Sequence, residues 1–165
     1  MRSSAIEKST LSVILRALMR ENRLALEVSL YTGLRISDVL NIKTEWLHKD
    51  KFVVYEKKTG KRQSIRLPKK LRDELLAISG HLFVFQGRLN SRKPRTRQAV
   101  WKDLNRVAKA FRLSGGVSPH SMRKTYAVTL KEMGLSASKI QKALNHSDPC
   151  VTALYMYADE LALRD

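Results

Sequence analysis

The sequence predicts an α+β fold, mainly α with one small antiparallel β-sheet. Two observations predict it. Apolar residues recur at helical spacing along most of the chain, and two short β-branched segments flank a basic turn. A chain of 165 residues with 43% hydrophobic content can bury one sizeable core and is short for two ordinary domains, so one compact domain over residues 1–165 is expected.

The elements follow in order. Ile6, Leu11, Ile14, Leu15 and Leu18 mark a first helix, and Leu24, Val28 and Tyr31 a second that stops at Thr32-Gly33. A short helix covers Ser37 to Ile42. Lys51 to Glu56 and Ser64 to Leu67 read as strands, joined by Lys57-Lys58-Thr59-Gly60-Lys61 as the basic tip of a β-hairpin. Pro68 opens a helix through Leu75 and Ile78, Phe83-Val84-Phe85 reads as a short buried strand or turn, and Gln86 to Arg97 as a solvated surface loop. Val100, Leu104, Val107 and Phe111 define an amphipathic helix that ends near Ser114-Gly115-Gly116, with Trp101 read as core. Further helices are expected from Ser121 to Glu132, from Ser136 to Leu144 and around Thr152 to Tyr157.

Charge narrows the partners. Thirty-two Lys and Arg against fifteen Asp and Glu leave a formal charge of +17, which repels itself in a compact chain unless a polyanion supplies the counter-charge. DNA and RNA satisfy that condition equally well on charge alone. Cys150 is the sole cysteine, so an internal disulfide and a thiol-rich metal site are excluded by count, which fits a reducing, cytoplasmic setting. Arg2, Glu7, Lys8, Arg16 and Arg20 interrupt any apolar stretch at the N-terminus before it reaches signal-peptide or membrane-spanning length. The fifteen acids are scattered, without the carboxylate clusters that hold Mg²⁺ in two-metal nucleases, so neither a metal nor a cofactor is expected.

Four segments carry more specific information: Thr32-Gly33-Leu34-Arg35-Ile36-Ser37-Asp38, the hairpin around Lys58, Pro119-His120-Ser121-Met122-Arg123, and Leu144-Asn145-His146 followed by Tyr155. In this order and spacing, over residues 20 to 160, the chain resembles the catalytic domain of the tyrosine recombinase (phage integrase) family. The resemblance implies helices around a three-stranded sheet edge and catalytic residues converging on one basic face. It implies a nucleophilic tyrosine nine residues beyond the last histidine, where Tyr155 stands, and a lysine general acid on the hairpin, best matched by Lys58 with Lys57 and Lys61 as alternatives. Two positions depart from the family's commoner pattern: Asp38 stands where glutamate is more frequent, and Asn145 where glycine is.

The chemistry is consistent with those roles. A phosphodiester is an anion, and its five-coordinate transition state carries more negative charge on the non-bridging oxygens. Arg35 and Arg123 suit such a site, because a guanidinium stays ionised and offers two parallel N–H donors. His120, three residues before Arg123 at a helix start, shares its face and is the candidate general base. His146 is the candidate donor to a non-bridging oxygen, and Asp38, one turn after Arg35, the candidate for orienting it. Attack by Tyr155 would store the bond energy as phosphotyrosine, so rejoining needs no ATP. Tyr157 is the rival nucleophile.

Lys57, Lys61 and Arg62 of the hairpin and Arg88, Arg92, Lys93, Arg95 and Arg97 of the basic run are the candidate DNA-phosphate contacts. The expected activity is site-specific DNA recombination or integration on double-stranded DNA, in a nucleoid-associated, cytoplasmic protein. The resemblance implies a tetrameric synapse on DNA, with residues 156 to 165 docking on a neighbouring protomer. It also implies an N-terminal core-binding domain; about twenty residues precede the matching region here, so none is expected within residues 1–165, and the chain reads either as a catalytic fragment or as a short single-domain relative. The competing readings are a type IB-like topoisomerase, a non-catalytic DNA-binding regulator on the same fold, and an RNA-binding protein.

Overall fold

The computed structural model describes residue 6, residues 8–113 and residues 117–153. In chain order it contains α1 (Lys8–Ala17), α2 (Arg20–Thr32), α3 (Ile36–Val39), a 3₁₀ turn (Thr44–His48), β1 (Phe52–Tyr55), β2 (Arg62–Ile65), α4 (Lys69–Leu76), α5 (Arg97–Ala110), α6 (Pro119–Glu132) and α7 (Ala137–Ala143). A last helix opens at Pro149 and occupies residues 149–153 of the described chain. Expected features at Ser114-Gly115-Gly116, Tyr155, Tyr157 and residues 156 to 165 lie outside the described residues.

Helix α2 is the centre. Leu24, Ala25, Leu26 and Val28 are fully buried, together with Asn22 and Ser29, and Thr32 is buried at its end. A helix covered on most sides shows a weak amphipathic pattern, which is why its sequence periodicity is fainter than that of α1 or α5. Tyr31, expected on its apolar series, is exposed instead. Helices α1, α3, α4 and α6 pack around α2, and α5 packs on α1 and α6. The main core joins Ile14, Leu24, Leu34, Leu40, Leu75, Phe85, Leu104 and Met122, while Ala127, Ile140 and Leu144 form a second, smaller cluster where α7 meets α6.

Strands β1 and β2 pair antiparallel, with Phe52 opposite Ile65 and Tyr55 opposite Arg62. The second strand thus begins two residues earlier than its apolar residues suggest. The three-stranded edge implied by the resemblance is not found among the described residues. Two strands form the sheet, and the pairings Lys43 with Phe83 and Gln86 with Pro94 remain isolated bridges. The 3₁₀ turn was not legible in the sequence, because one turn with a single buried side chain, Leu47, generates no period. Its Trp46 packs on Phe52 with ring centroids 6.0 Å apart.

One buried polar hub fixes the α1–α2 junction against α5. Asp103 accepts hydrogen bonds from Met19 N at 2.9 Å, Asn22 Nδ2 at 2.7 Å, and Arg106 Nε and Nη2 at 3.0 and 2.7 Å. Asn22 Oδ1 accepts in turn from Arg95 Nε at 2.6 Å. Arg95, expected among the solvated DNA contacts, is therefore half-buried and braces the fold. Burial alone would raise the Asp103 pKa, but the bonds from Asn22, Arg106 and Met19 outweigh it and hold the carboxyl below its usual value.

We predict that Asp103→Ala lowers stability by about 3 kcal/mol, because it strands buried donors. A carboxyl with a depressed folded pKa contributes fully above the ordinary value near 3.9, and that contribution disappears as pH falls through the folded value. The gap between wild type and variant, measured by urea denaturation, should accordingly narrow below about pH 4.

Candidate active site

The site is assembled from two helix ends, one helix start and the hairpin. At the end of α2 the Thr32 hydroxyl donates to Val28 O at 2.7 Å and accepts from Leu34 N at 3.2 Å, while Ser29 Oγ donates to Leu34 O at 2.7 Å. Gly33 takes a left-handed φ of 70°, and its N–H closes the helix on Ser29 O at 2.9 Å. A Cβ at this position would stand 2.6 Å from the Tyr126 ring, so glycine is required twice over, by conformation and by space. The turn delivers Arg35 as the residue that precedes α3.

Helix α6 begins with a reciprocal cap between Ser118 and Ser121, and with Pro119 in its first turn. One turn on, Arg123 enters the interior at 1% exposure. Its Nη1 donates to Gly33 O at 2.5 Å and its Nη2 to Leu144 O. Gly33 adjoins the Arg35 turn and Leu144 adjoins the His146 turn, so a single guanidinium ties both together.

At the end of α7, Asn145 adopts φ 53° and His146 N donates to Gln141 O at 3.1 Å. Asparagine is among the few non-glycine residues that tolerate this left-handed conformation, which accounts for its standing where glycine is commoner. The His146 ring is buried, with Nδ1 3.0 Å from Thr152 Oγ1.

The hairpin is strapped to both turns. Gln63 Nε2 donates to Thr32 O at 3.0 Å and to Ala143 O at 3.4 Å, and Lys61 Nζ to Asn145 O at 3.2 Å. The fully buried Glu56 forms an ion pair with Arg35, and its Oε2 also accepts from Thr59 Oγ1 at 3.0 Å. Asp38, expected to orient Arg35, instead accepts the Lys57 backbone N–H at 3.0 Å; the side-chain partner of Arg35 is Glu56. The aspartate chain is one methylene shorter than glutamate. Burial raises the Asp38 pKa, against the Lys57 N–H that lowers it.

Arg35, His120 and Arg123 line one cleft of about 620 Å³, together with Ser37, Arg97, Gln98 and Trp101. Trp101, expected in the core, is 49% exposed and forms a wall of this cleft. Lys58 is exposed at the hairpin tip, and its charge acts on His120. Lys57 is exposed as well, whereas Lys61 is occupied by Asn145 O. Both imidazoles are pushed down to about 4. For His146 the causes are desolvation first, then Arg123 and Arg35; for His120 they are desolvation, then Arg123 and Lys124.

Arg88, Arg92 and Lys93 are exposed on the loop preceding α5, Arg97 reaches the cleft, and Arg62 lines a shallow depression with Lys51, Val53 and Ser64. Among the described residues, no three His, Cys, Asp or Glu side chains cluster as metal ligands, and no helix is long and apolar enough to cross a membrane. Glu56, Gln63 and Thr152 were missed by the sequence reading. For Glu56 a signal existed: it is the acid at the entrance to an otherwise basic tip.

Comparison with known proteins gives the lineage of this fold and cleft. Residues 5–161 match the model of the phage integrase family. The chain belongs to that family. It is 28% identical over 156 residues to tyrosine recombinase XerD of Listeria innocua, covering 85% of this chain and 51% of that protein. It is also 28% identical over 134 residues to the probable integrase/recombinase YoeC of Bacillus subtilis, covering 78% of this chain and 73% of that one. The chain thus spans about half the length of the XerD relatives it matches. Among solved structures, a lambda integrase dimer bound to a COC′ core site superposes with a TM-score of 0.79 at 24% identity, over 94% of this chain and 48% of that chain. XerA recombinase superposes at 0.77 and 17% identity, over 98% and 61%. At these identities the superpositions establish the fold.

The depressed imidazoles give a measurable outcome. In an NMR titration of the free protein, neither His120 nor His146 should protonate until the pH falls below about 5. An unfolded histidine takes its proton near 6.5, so the folded state should lose stability as pH falls from about 6.5 towards 4, and gain none from these rings above that window.

Proposed function

We propose that this chain is the catalytic domain of a site-specific DNA recombinase or integrase that cleaves and rejoins double-stranded DNA through a 3′-phosphotyrosine on Tyr155. The observation that carries the reading is the convergence of Arg35, Arg123 and His120 on one cleft, with Lys58 and His146 inside the same electrostatic field.

The step runs as follows. The Tyr155 oxygen attacks the scissile phosphorus as its proton passes to His120, which is neutral at pH 7 and so able to accept it. The new O–P bond forms while the P–O5′ bond breaks, and the Lys58 ammonium gives a proton to the departing 5′ oxygen. Arg35 and Arg123 bear the charge that accumulates on the non-bridging oxygens, aided by an N–H from His146. A preorganised donor of this kind is worth about 3–4 kcal/mol in the transition state. Attack by a 5′ hydroxyl on the phosphotyrosine reverses the step and reseals a strand without ATP. These groups need neither a metal nor a cofactor.

Exposed Arg62, Arg88, Arg92, Lys93 and Arg97 suit the flanking phosphates, and Trp101 offers an aromatic wall to the sugar or base beside the cleft. Strand exchange requires more than one protomer, so assembly as a tetrameric synapse on DNA is part of the proposal. A cytoplasmic, nucleoid-associated setting follows from the substrate.

A nicked suicide substrate tests the chemistry. A covalent adduct should form in EDTA and vanish in Tyr155→Phe; loss in Tyr157→Phe alone would move the nucleophile to that residue. Tight binding without any adduct would favour a regulator, and plasmid relaxation without recombinants a type IB-like topoisomerase. Lys58→Ala should slow cleavage roughly 100-fold or more. A substrate with sulfur in place of the 5′ bridging oxygen needs no proton on departure, so it should restore the rate of this variant and of no arginine variant.

A further inference from the structure

The contact between His146 and Thr152 is used by none of the steps above. Nδ1 and Oγ1 lie 3.0 Å apart and both groups are buried, with Thr152 at 1% exposure. A hydroxyl carries one hydrogen and two lone pairs, and a neutral imidazole one N–H and one bare nitrogen. Among the described residues, Nδ1 is the acceptor within hydrogen-bond distance of the Thr152 hydroxyl. Had Nδ1 carried the ring hydrogen, the buried hydroxyl would be left as an unmet donor, the costlier arrangement. With the hydroxyl donating, Nδ1 is the bare nitrogen and the hydrogen resides on Nε2, on the opposite edge of the ring.

We propose that Thr152 is a positioning residue that sets the tautomer of His146, so that the neutral ring presents an Nε2–H to the phosphate. This rests on the reading of His146 as a donor to a non-bridging oxygen and supplies what that reading lacks, since a neutral histidine of the other tautomer would offer a lone pair to an anion. The depressed pKa supports it, because desolvation and the fields of Arg123 and Arg35 keep the ring from donating as a cation near pH 7. Thr152 belongs to the helix that starts at 149, three residues before Tyr155 in sequence, so the bond links the histidine to the segment that leads to the nucleophile.

Nitrogen-15 spectra of the full chain with labelled histidine report the tautomer without any catalysis. Wild type at pH 7 should show His146 with bare Nδ1 and protonated Nε2; Thr152→Val, of matching shape, should lose that preference, and Thr152→Ser regain it. Suicide-substrate cleavage should fall roughly 10- to 100-fold in Thr152→Val with DNA affinity unmoved, and recover in Thr152→Ser. A protonated Nδ1 in wild type overturns the proposal, as does a Val variant that keeps both tautomer and cleavage rate. Should His146→Ala cleave at the wild-type rate while the spectra are as expected, the phosphate-donor role of His146 fails and the tautomer assignment to Thr152 holds.

Discussion

The site depends on one buried cation. Arg123 lies in the interior at 1% exposure, an arrangement that is costly for an ion unless its donors are met by strong acceptors. Backbone carbonyls accept from its terminal nitrogens, Gly33 O from Nη1 and Leu144 O from Nη2, and each belongs to a turn that presents a further candidate site residue. Charge and scaffold are thereby the same object: the group that fixes the two turns also generates the field between them. That field, added to desolvation, keeps His120 and His146 neutral near pH 7, which is the state both need in the proposed chemistry.

The hairpin is the second element of the design, and two acids, an amide and a lysine hold it. Glu56 joins Arg35 to Thr59, Asp38 takes the Lys57 N–H, and Gln63 and Lys61 rest on the ends of α2 and α7. Lys58 is left exposed between these anchors. An exposed ammonium on an anchored tip combines reach with a defined direction, which suits the proton donor proposed for the departing 5′ oxygen.

Much of this was legible in the sequence. Helices α1 and α5 announced themselves by apolar spacing, α6 was expected two residues after its true start, and the motif residues Arg35, His120 and Arg123 do share a cleft. What escaped had physical reasons. Trp101 occupies an amphipathic helix, where periodicity says only which stripe faces inward, and the cleft cuts into that stripe's margin. Arg95 stands in a run of cations that composition marks as solvated, yet the buried Asn22 claims it. Glu56 takes the place expected of Asp38 because sequence distance favoured the aspartate, whereas the partner of Arg35 arrives from the hairpin, a long-range contact that no local pattern records.

The close approach at Gly33 reaches beyond its own turn. With no side chain there, the Tyr126 ring of α6 settles against the backbone that closes α2, and the two helices pack together at this point. Arg35 follows Gly33 by two residues and Arg123 precedes Tyr126 by three, so this contact calibrates the gap separating two positive charges. A larger residue at Gly33 would push the Tyr126 ring away and shift Arg123 relative to Arg35, with both arginines themselves unchanged.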